Sequence, residues 1–190
     1  MNELSFINYS NCFSTRIKAF QILADPQDEK LDIDTYRQSI INKLMINDNY
    51  LAIPNQVHSN NVQFINGPGS FNNTDGLLTH KSDIVLSLQT ADCLPIFLFD
   101  KSNHMKGLIH SGWKGTKNKI IQNALSLMLD KGSIVSDIII VIGASIQKCC
   151  YEIGDELIPF FNDECIYTIN DKKYLSLQEQ TLIDVSKFNI

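Results

Sequence analysis

Between Asp32 and Ile46 the apolar residues Ile33, Tyr36, Ile40, Ile41, Leu44 and Met45 recur at the spacing of one helix face, with Asp32 or Asp34 available as the cap. The pattern then changes. Leu51 to Ile53, Val62 to Ile65 and Ile84 to Leu88 are short apolar runs divided by polar stretches and by the turn cluster Asn66-Gly67-Pro68-Gly69, and they predict strands. Asp75-Gly76 opens a further apolar run, Leu77-Leu78. Leu94 to Phe99 is apolar at nearly every position, the pattern of a strand covered on both faces. Asp100 to Asn103 reads as a turn returning the chain into Gly107-Leu108-Ile109-His110, so the two runs predict an antiparallel hairpin.

Thr116 to Leu129 predicts a helix with Ile120, Ile121, Ala124, Leu125 and Met128 on one stripe, ended by Lys131-Gly132. Ile138 to Ile142 predicts a buried strand, Glu156 to Phe161 a short helix, and Ser176 to Phe188 a final amphipathic helix capped by Ser176. Strands and helices interleave irregularly, with hairpins among them. The expected class is α+β: mixed β-sheets with hairpins, flanked by helices, in one layered domain over residues 1–190.

A chain of 190 residues can bury a core without staples. Its 44% hydrophobic and 19% charged content is that of a globular domain. The net charge of −5, with arginine only at Arg16 and Arg37, argues against a nucleic-acid partner, which needs a basic face. The segment Met1 to Leu4 has no signal-peptide character, and no run approaches the roughly 18 apolar residues of a membrane span. Five cysteines (Cys12, Cys93, Cys149, Cys150 and Cys165) are an odd number; without an export signal, reduced thiols and a cytoplasmic location are expected. The oligomeric state is left open.

Chemistry concentrates in three segments: Gln56-Val57-His58, Ala91-Asp92-Cys93-Leu94-Pro95 and His110-Ser111-Gly112-Trp113. Taken singly, Cys93 reads as a small buried hydrophobe, His110 as a core histidine and His58 as a loop residue. The hairpin joins two of them, because Cys93 at its start and His110 at its end lie at the same edge of an antiparallel pair. Two imidazoles and a thiolate form an N/S ligand set that suits zinc and also accepts copper; three ligands leave a coordination position open. Asp92 and Gln56 are candidate catalytic groups that would orient imidazoles or activate water. Trp113 and Lys114 precede a predicted helix whose N-terminus suits an anion, so a phosphate or a purine stacked on Trp113 would fit; a core tryptophan beside a solvated lysine fits equally well. Cys149 and Cys150 point in different directions in any regular geometry and make a poor metal pair. His80 and His104 are expected to face solvent.

These motifs resemble those of the laccase-domain proteins, also called multicopper polyphenol oxidoreductase-like proteins or peptidoglycan editing factor. A Gln-x-His run looks like Gln56-Val57-His58, and Thr-Ala-Asp-Cys-x-Pro matches Thr90 to Pro95. The family's His-Ala-Gly-Trp-Arg-Gly is similar to His110 to Gly115, and a Cys-Cys-Tyr-Glu-bearing segment is similar to Gly143 to Gly154. Arg37 resembles an arginine of the family's early helix. The resemblance implies a zinc site of His58, Cys93 and His110. It also implies phosphorolysis of adenosine, inosine, guanosine and methylthioadenosine, and deamination of adenosine, so the expected partners are purine nucleosides and phosphate.

The chain departs from the family in three places. Lys114 stands where the family has arginine, exchanging a planar fork for a point charge. The family's glycine-rich early segment is rewritten as Arg16-Ile17-Lys18-Ala19-Phe20. The chain also stops at Phe188-Asn189-Ile190, where the family continues, so it is expected to be shortened at its C-terminus. Two other functions are compatible with these residues. One is an amidase or deamidase with Cys93 as nucleophile and His110 as base; the other is a shortened, non-catalytic metal-binding protein.

Overall fold

The structure, a computed structural model, describes residues 5–13, 17–23 and 32–190. Arg16 and the segment Met1 to Leu4 lie outside the described residues. The chain begins with an antiparallel pair, β1 (Phe6–Asn8) and β2 (Phe20–Ile22), followed by α1 (Ile33–Lys43). Five short strands come next: β3 (Leu51–Pro54), β4 (Val62–Phe64), β5 (Gly69–Phe71), β6 (Gly76–Thr79) and β7 (Val85–Leu86). The hairpin of β8 (Leu94–Asp100) and β9 (Lys106–Ser111) leads to α2 (Trp113–Lys117), α3 (Ile120–Asp130) and β10 (Ile138–Ile142). The last elements are β11 (Glu152–Ile153), β12 (Ile166–Ile169), β13 (Lys172–Leu175) and α4 (Leu177–Ser186).

The main sheet runs β10-β8-β9-β6-β4, antiparallel except for the parallel β4–β6 pair. A second sheet, β5-β3-β7, is parallel, and a third, β11-β13-β12, is antiparallel. With helices flanking these mixed sheets, the fold is α+β as the pattern predicts.

Every residue of β8 is buried, and the strand's period of two explains how. Leu94, Ile96 and Leu98 enter the main core with the α3 residues Ile120, Ile121, Ala124, Leu125 and Met128. On the other face, Tyr9 and Phe13 of the N-terminal segment meet the rings of Phe97 and Phe99 at 5.2 and 6.3 Å. Gln21 of β2 fastens that segment down: its Oε1 accepts from the Ala144 N–H at 2.8 Å, and its Nε2 donates to the Ala144 carbonyl at 2.8 Å.

Several elements differ from the pattern in instructive ways. The single helix expected from Thr116 to Leu129 is two, because Lys119 adopts a left-handed backbone (φ 64°) that no α-helix continues through. The stripe itself is buried as expected, and α3 stops at Gly132 (φ 94°). There the N–H of Gly132 bonds to Leu129 and that of Ser133 to Met128, the paired closure that a left-handed glycine allows. Glu156 to Phe161 forms a tighter 3-10 turn over Asp155–Phe160 containing Pro159, which has no N–H to give a regular helix. α1 is capped by Asp32 as expected but buries only Ile41; Ile33 is 58% and Met45 91% exposed. Its apolar spacing therefore overstates its packing. The buried face of α4 is mostly polar, with Gln180, Thr181 and Asp184 beside Leu177 and Val185.

Ser176 caps α4 by accepting the Glu179 N–H at 3.2 Å. Ser176→Ala is expected to cost about 1 kcal/mol, read as a fall of roughly 2–4 °C in Tm; an unchanged melting curve would remove the cap from the account.

Candidate metal centre

The main sheet brings one end of three neighbouring strands together. In register, Gly76 of β6 faces Ile109 of β9, and Pro95 of β8 faces His110. Asp75, Cys93 and His110 therefore collect at one edge, where β6 and β8 begin and β9 ends. His58 reaches the same edge from the loop between β3 and β4. The ligand atoms of His58, Cys93 and His110 all lie within 4.8 Å of one another, and the two imidazoles pack edge to face with centroids 4.7 Å apart. Among the described residues this is the one group of three or more His, Cys, Asp or Glu side chains so gathered.

Asp75 organises the cluster. Its carboxylate is fully buried and accepts from His110 Nδ1 at 2.9 Å, from the backbone N–H groups of Val57, His58 and Ser59 at 3.3, 3.0 and 2.7 Å, and from Ser59 Oγ at 2.7 Å. Its carbonyl also accepts the His110 N–H at 2.7 Å. One side chain thus orients one imidazole and holds the loop of the other, whose His58 has a left-handed backbone (φ 59°) that needs such support. Burial pushes the Asp75 carboxyl up, but the hydrogen bonds from His110, Ser59 and Val57 outweigh it and hold it below its ordinary value. Burial lowers His110, and nearby His58 adds to this, against the opposing pull of Asp75. A neutral His110 donating from Nδ1 to Asp75 leaves Nε2 as its free lone pair, the arrangement expected of a metal-ligating histidine.

Burial, then the charges of Asp92 and Asp75, push the Cys93 thiol up. Gly112, immediately after β9, is required by close approach: a Cβ there would lie 2.7 Å from Cys93 Sγ and 3.3 Å from His58 Cδ2. The donor set therefore fits a borderline-soft ion. It consists of two imidazole nitrogens and one sulfur, with a carboxylate fixing the first imidazole from behind.

The other sequence candidates fall into different places. Gln56 uses its whole amide on the backbone of Gln89, donating to its carbonyl at 2.8 Å and accepting its N–H at 2.9 Å, so it clamps the two loops together. Asp92 is exposed beside Cys93, and its carbonyl receives the Ile146 N–H at 3.0 Å. Trp113 packs on the core, with Lys114 Nζ 5.6 Å from its ring centroid. The helix they open, α2, has five residues, not the long run expected, so the anion site read from a long helix dipole lacks that dipole. Arg37 is bound to Asp34 within α1 at 2.7 Å, and its buried Nε has no hydrogen-bond partner. His80 and His104 are exposed, as expected.

Sequence reasoning missed Asp75 and Tyr151. Asp75 stood only as the opening of the apolar run Leu77-Leu78; the available signal was an acidic side chain directly ahead of that run, where a carboxylate must collect donors. Tyr151 is half-buried, and burial followed by the nearby Cys93 and Asp92 pushes its phenol up, leaving it a neutral donor next to the cluster. The adjacent Cys149 and Cys150 do not diverge as expected. They sit in a turn, not a regular element, and their sulfurs are 3.0 Å apart.

Strand ends of a mixed sheet presenting an open His-Cys-His triad define an α+β protein with a candidate metal centre. The chain belongs to the multi-copper polyphenol oxidoreductase laccase family, whose pattern it matches over residues 10–190. It is 35% identical over 140 residues to a purine nucleoside phosphorylase of Rickettsia prowazekii, covering 72% of this chain and 55% of that protein. It is 29% identical over 154 residues to the adenosine deaminase RL5 of an unknown prokaryotic organism, covering 76% and 58%. The crystal structure of YlmD from Geobacillus stearothermophilus superimposes with a TM-score of 0.76 at 25% identity, covering 83% of this chain and 65% of that one. The chain spans about half the length of the two phosphorylases of Clostridium acetobutylicum and R. prowazekii that it matches, 50% and 55%. No helix among the described residues is long and apolar enough to cross a membrane.

Proposed function

We propose that the protein is a metal-dependent enzyme acting on purine nucleosides, with zinc held by His58, Cys93 and His110. The reaction we assign is phosphorolysis of adenosine, inosine, guanosine and methylthioadenosine, together with deamination of adenosine. The observation that carries the proposal is the convergence of the three ligand atoms within 4.8 Å, with Asp75 on His110 Nδ1. The relatives named for phosphorylase and deaminase activity support the substrate class. A zinc ion bound there would supply Lewis-acid chemistry at the open position. The chain's own groups set its surroundings: Asp75 holds the proton on His110 Nδ1, and Cys93 gives up its thiol proton when the ion binds. Asp92 is the exposed carboxylate nearest in sequence to the ligands and the proposed proton-handling group, and Gln56 positions its loop. Trp113 and Lys114 are the proposed contacts for base and phosphate. Arg37, ion-paired with Asp34 within α1, is the remaining proposed substrate contact. Work in the cytoplasm suits a site built on a reduced thiol.

A Cys93 nucleophile activated by His110 and Asp75 is the second reading, favoured by the thiol and imidazole lying within 4.8 Å and by Asp75 on His110 Nδ1. Against it stands the thiol pushed up by burial and by two carboxylates, the opposite of an activated nucleophile.

Metal analysis and one assay separate the readings. The purified protein is expected to hold about one zinc per chain, lost in Cys93→Ala and His110→Ala. With adenosine and phosphate it should yield adenine with ribose 1-phosphate, and inosine from deamination. Metal-free protein whose Cys93 alkylates rapidly would replace the proposal with the nucleophile. Copper in place of zinc would correct the ion, and zinc-loaded protein that leaves all four nucleosides intact would leave a non-catalytic metal binder.

A further inference from the structure

The segment between β10 and β11 carries two thiols that the candidate metal centre does not use. Neighbouring residues in a strand or helix direct their side chains apart. Here the chain turns at residues 148–150, with the N–H groups of Cys150 and Tyr151 both donating to the Gln147 carbonyl, at 2.9 and 3.0 Å. That turn folds Cys149 and Cys150 onto each other, so their sulfurs approach to 3.0 Å while both residues remain exposed. The contact with Cys149 pushes the Cys150 thiol up. None of the other described cysteines is placed this way: Cys12 is exposed without a thiol contact, and Cys165 is fully buried.

We propose that Cys149 and Cys150 form a redox-modification site, closed to a vicinal disulfide by a hydroperoxide and reopened by thiols. In the first step one thiolate attacks the peroxide oxygen, the O–O bond breaks, and a sulfenic acid forms as the alcohol (or water, from hydrogen peroxide) leaves. In the second, the neighbouring thiol attacks that sulfur; the S–S bond forms and the hydroxyl departs as water with the second thiol's proton. The pair loses two electrons and two protons, and the peroxide is reduced. The second step needs the partner sulfur close by, and the turn supplies it. A sulfenic acid on an isolated thiol has no such neighbour. Adjacent Cα atoms are about 3.8 Å apart, below the usual disulfide span of about 4.4–6.8 Å. The closed ring is therefore open to attack by small thiols and returns to the dithiol. The site lies on the segment that carries Tyr151 beside Cys93 and Asp92, so its oxidation state is written next to the metal centre.

The test uses the 190-residue chain loaded with zinc and exposed to limiting hydrogen peroxide, then alkylated and cleaved after lysine and after glutamate. Cleavage after Lys148 and Glu152 isolates Cys149-Cys150-Tyr151-Glu152 from Cys165. The expected product is this tetrapeptide lighter by two hydrogens and carrying no alkyl group. Dithiothreitol should restore two alkylation sites, and the change should come before Cys12 loses its own. Cys149→Ser and Cys150→Ser should each abolish the two-hydrogen loss. The proposal is overturned if both thiols stay alkylatable while Cys12 is oxidised, or if they end as separate sulfinic acids or as links to other chains.

Discussion

Asp75→Ala is expected to lower stability and metal binding together. The substitution strands the His110 Nδ1–H, three backbone N–H groups and the Ser59 hydroxyl, all now served by one buried carboxylate. A buried donor left without its partner costs about 1–3 kcal/mol. The contributions do not add, and water entering at the loop recovers part of the loss, so we expect about 3–5 kcal/mol in total. At roughly 2–4 °C per kcal/mol for a chain of this size, Tm should fall by about 6–20 °C. Metal affinity should fall with it, since His110 loses its fixed tautomer and His58 its loop. Asp75→Asn keeps the shape but presents an amide N–H where donors already point, and it should show the same two losses in smaller measure. Asp92→Asn, the same charge change on an exposed residue, should stay within about 0.5 kcal/mol of the parent. Differential scanning calorimetry and metal titration read both quantities. Asp75→Asn protein with the parent's Tm and affinity would dismiss Asp75 as the organiser.

Gly112→Ala tests the centre in the opposite manner, by adding matter instead of removing a bond. The Gly112 backbone (φ −81°) is open to any residue, so the substitution introduces no backbone strain. Its Cβ, however, would stand 2.7 Å from Cys93 Sγ, a separation that side chains do not sustain, and 3.3 Å from His58. Cys93 and His58 are not enclosed by the core, so they should swing aside at little cost to folding. The expected result is a fall in metal affinity of about 10–100-fold or more, with Tm of the metal-free protein nearly unchanged. Competition with a chromophoric chelator measures the first and calorimetry the second. Parent affinity in this variant would mean that Cys93 does not sit where the ligand set requires it.

Much of this architecture could be read from residue order, because β8 and β9 have strong local signals. An apolar run, a polar turn and a second run place Cys93 and His110 at one edge without reference to anything distant. His58 had no such signal: its loop is held by a carboxylate 17 residues further on. For the same reason Asp75 escaped notice, since its importance lies in partners on two other segments. The break between α2 and α3 was hidden because Lys119 is an ordinary helix former whose left-handed backbone accompanies an ion pair with the buried Asp184 carboxylate. α1 erred the other way: its helical spacing is genuine, yet Ile41 is the one residue of the helix that is buried. Cys149 and Cys150 were misjudged by assuming a regular element where the chain makes a turn.

The separations along the chain have one more consequence. Asp75 is 17 residues from His58 and 35 from His110, so the β8–β9 hairpin brings together only Cys93 and His110, and no local stretch of polypeptide holds the complete centre. A denatured chain would have to close several loops, each with its entropy cost, before it could offer the same ligands. An ion that prefers this arrangement therefore favours the native ensemble over the unfolded one by mass action, in proportion to its free concentration relative to its dissociation constant. Metal supply would then govern how long the protein survives in a cell as well as whether its site is filled.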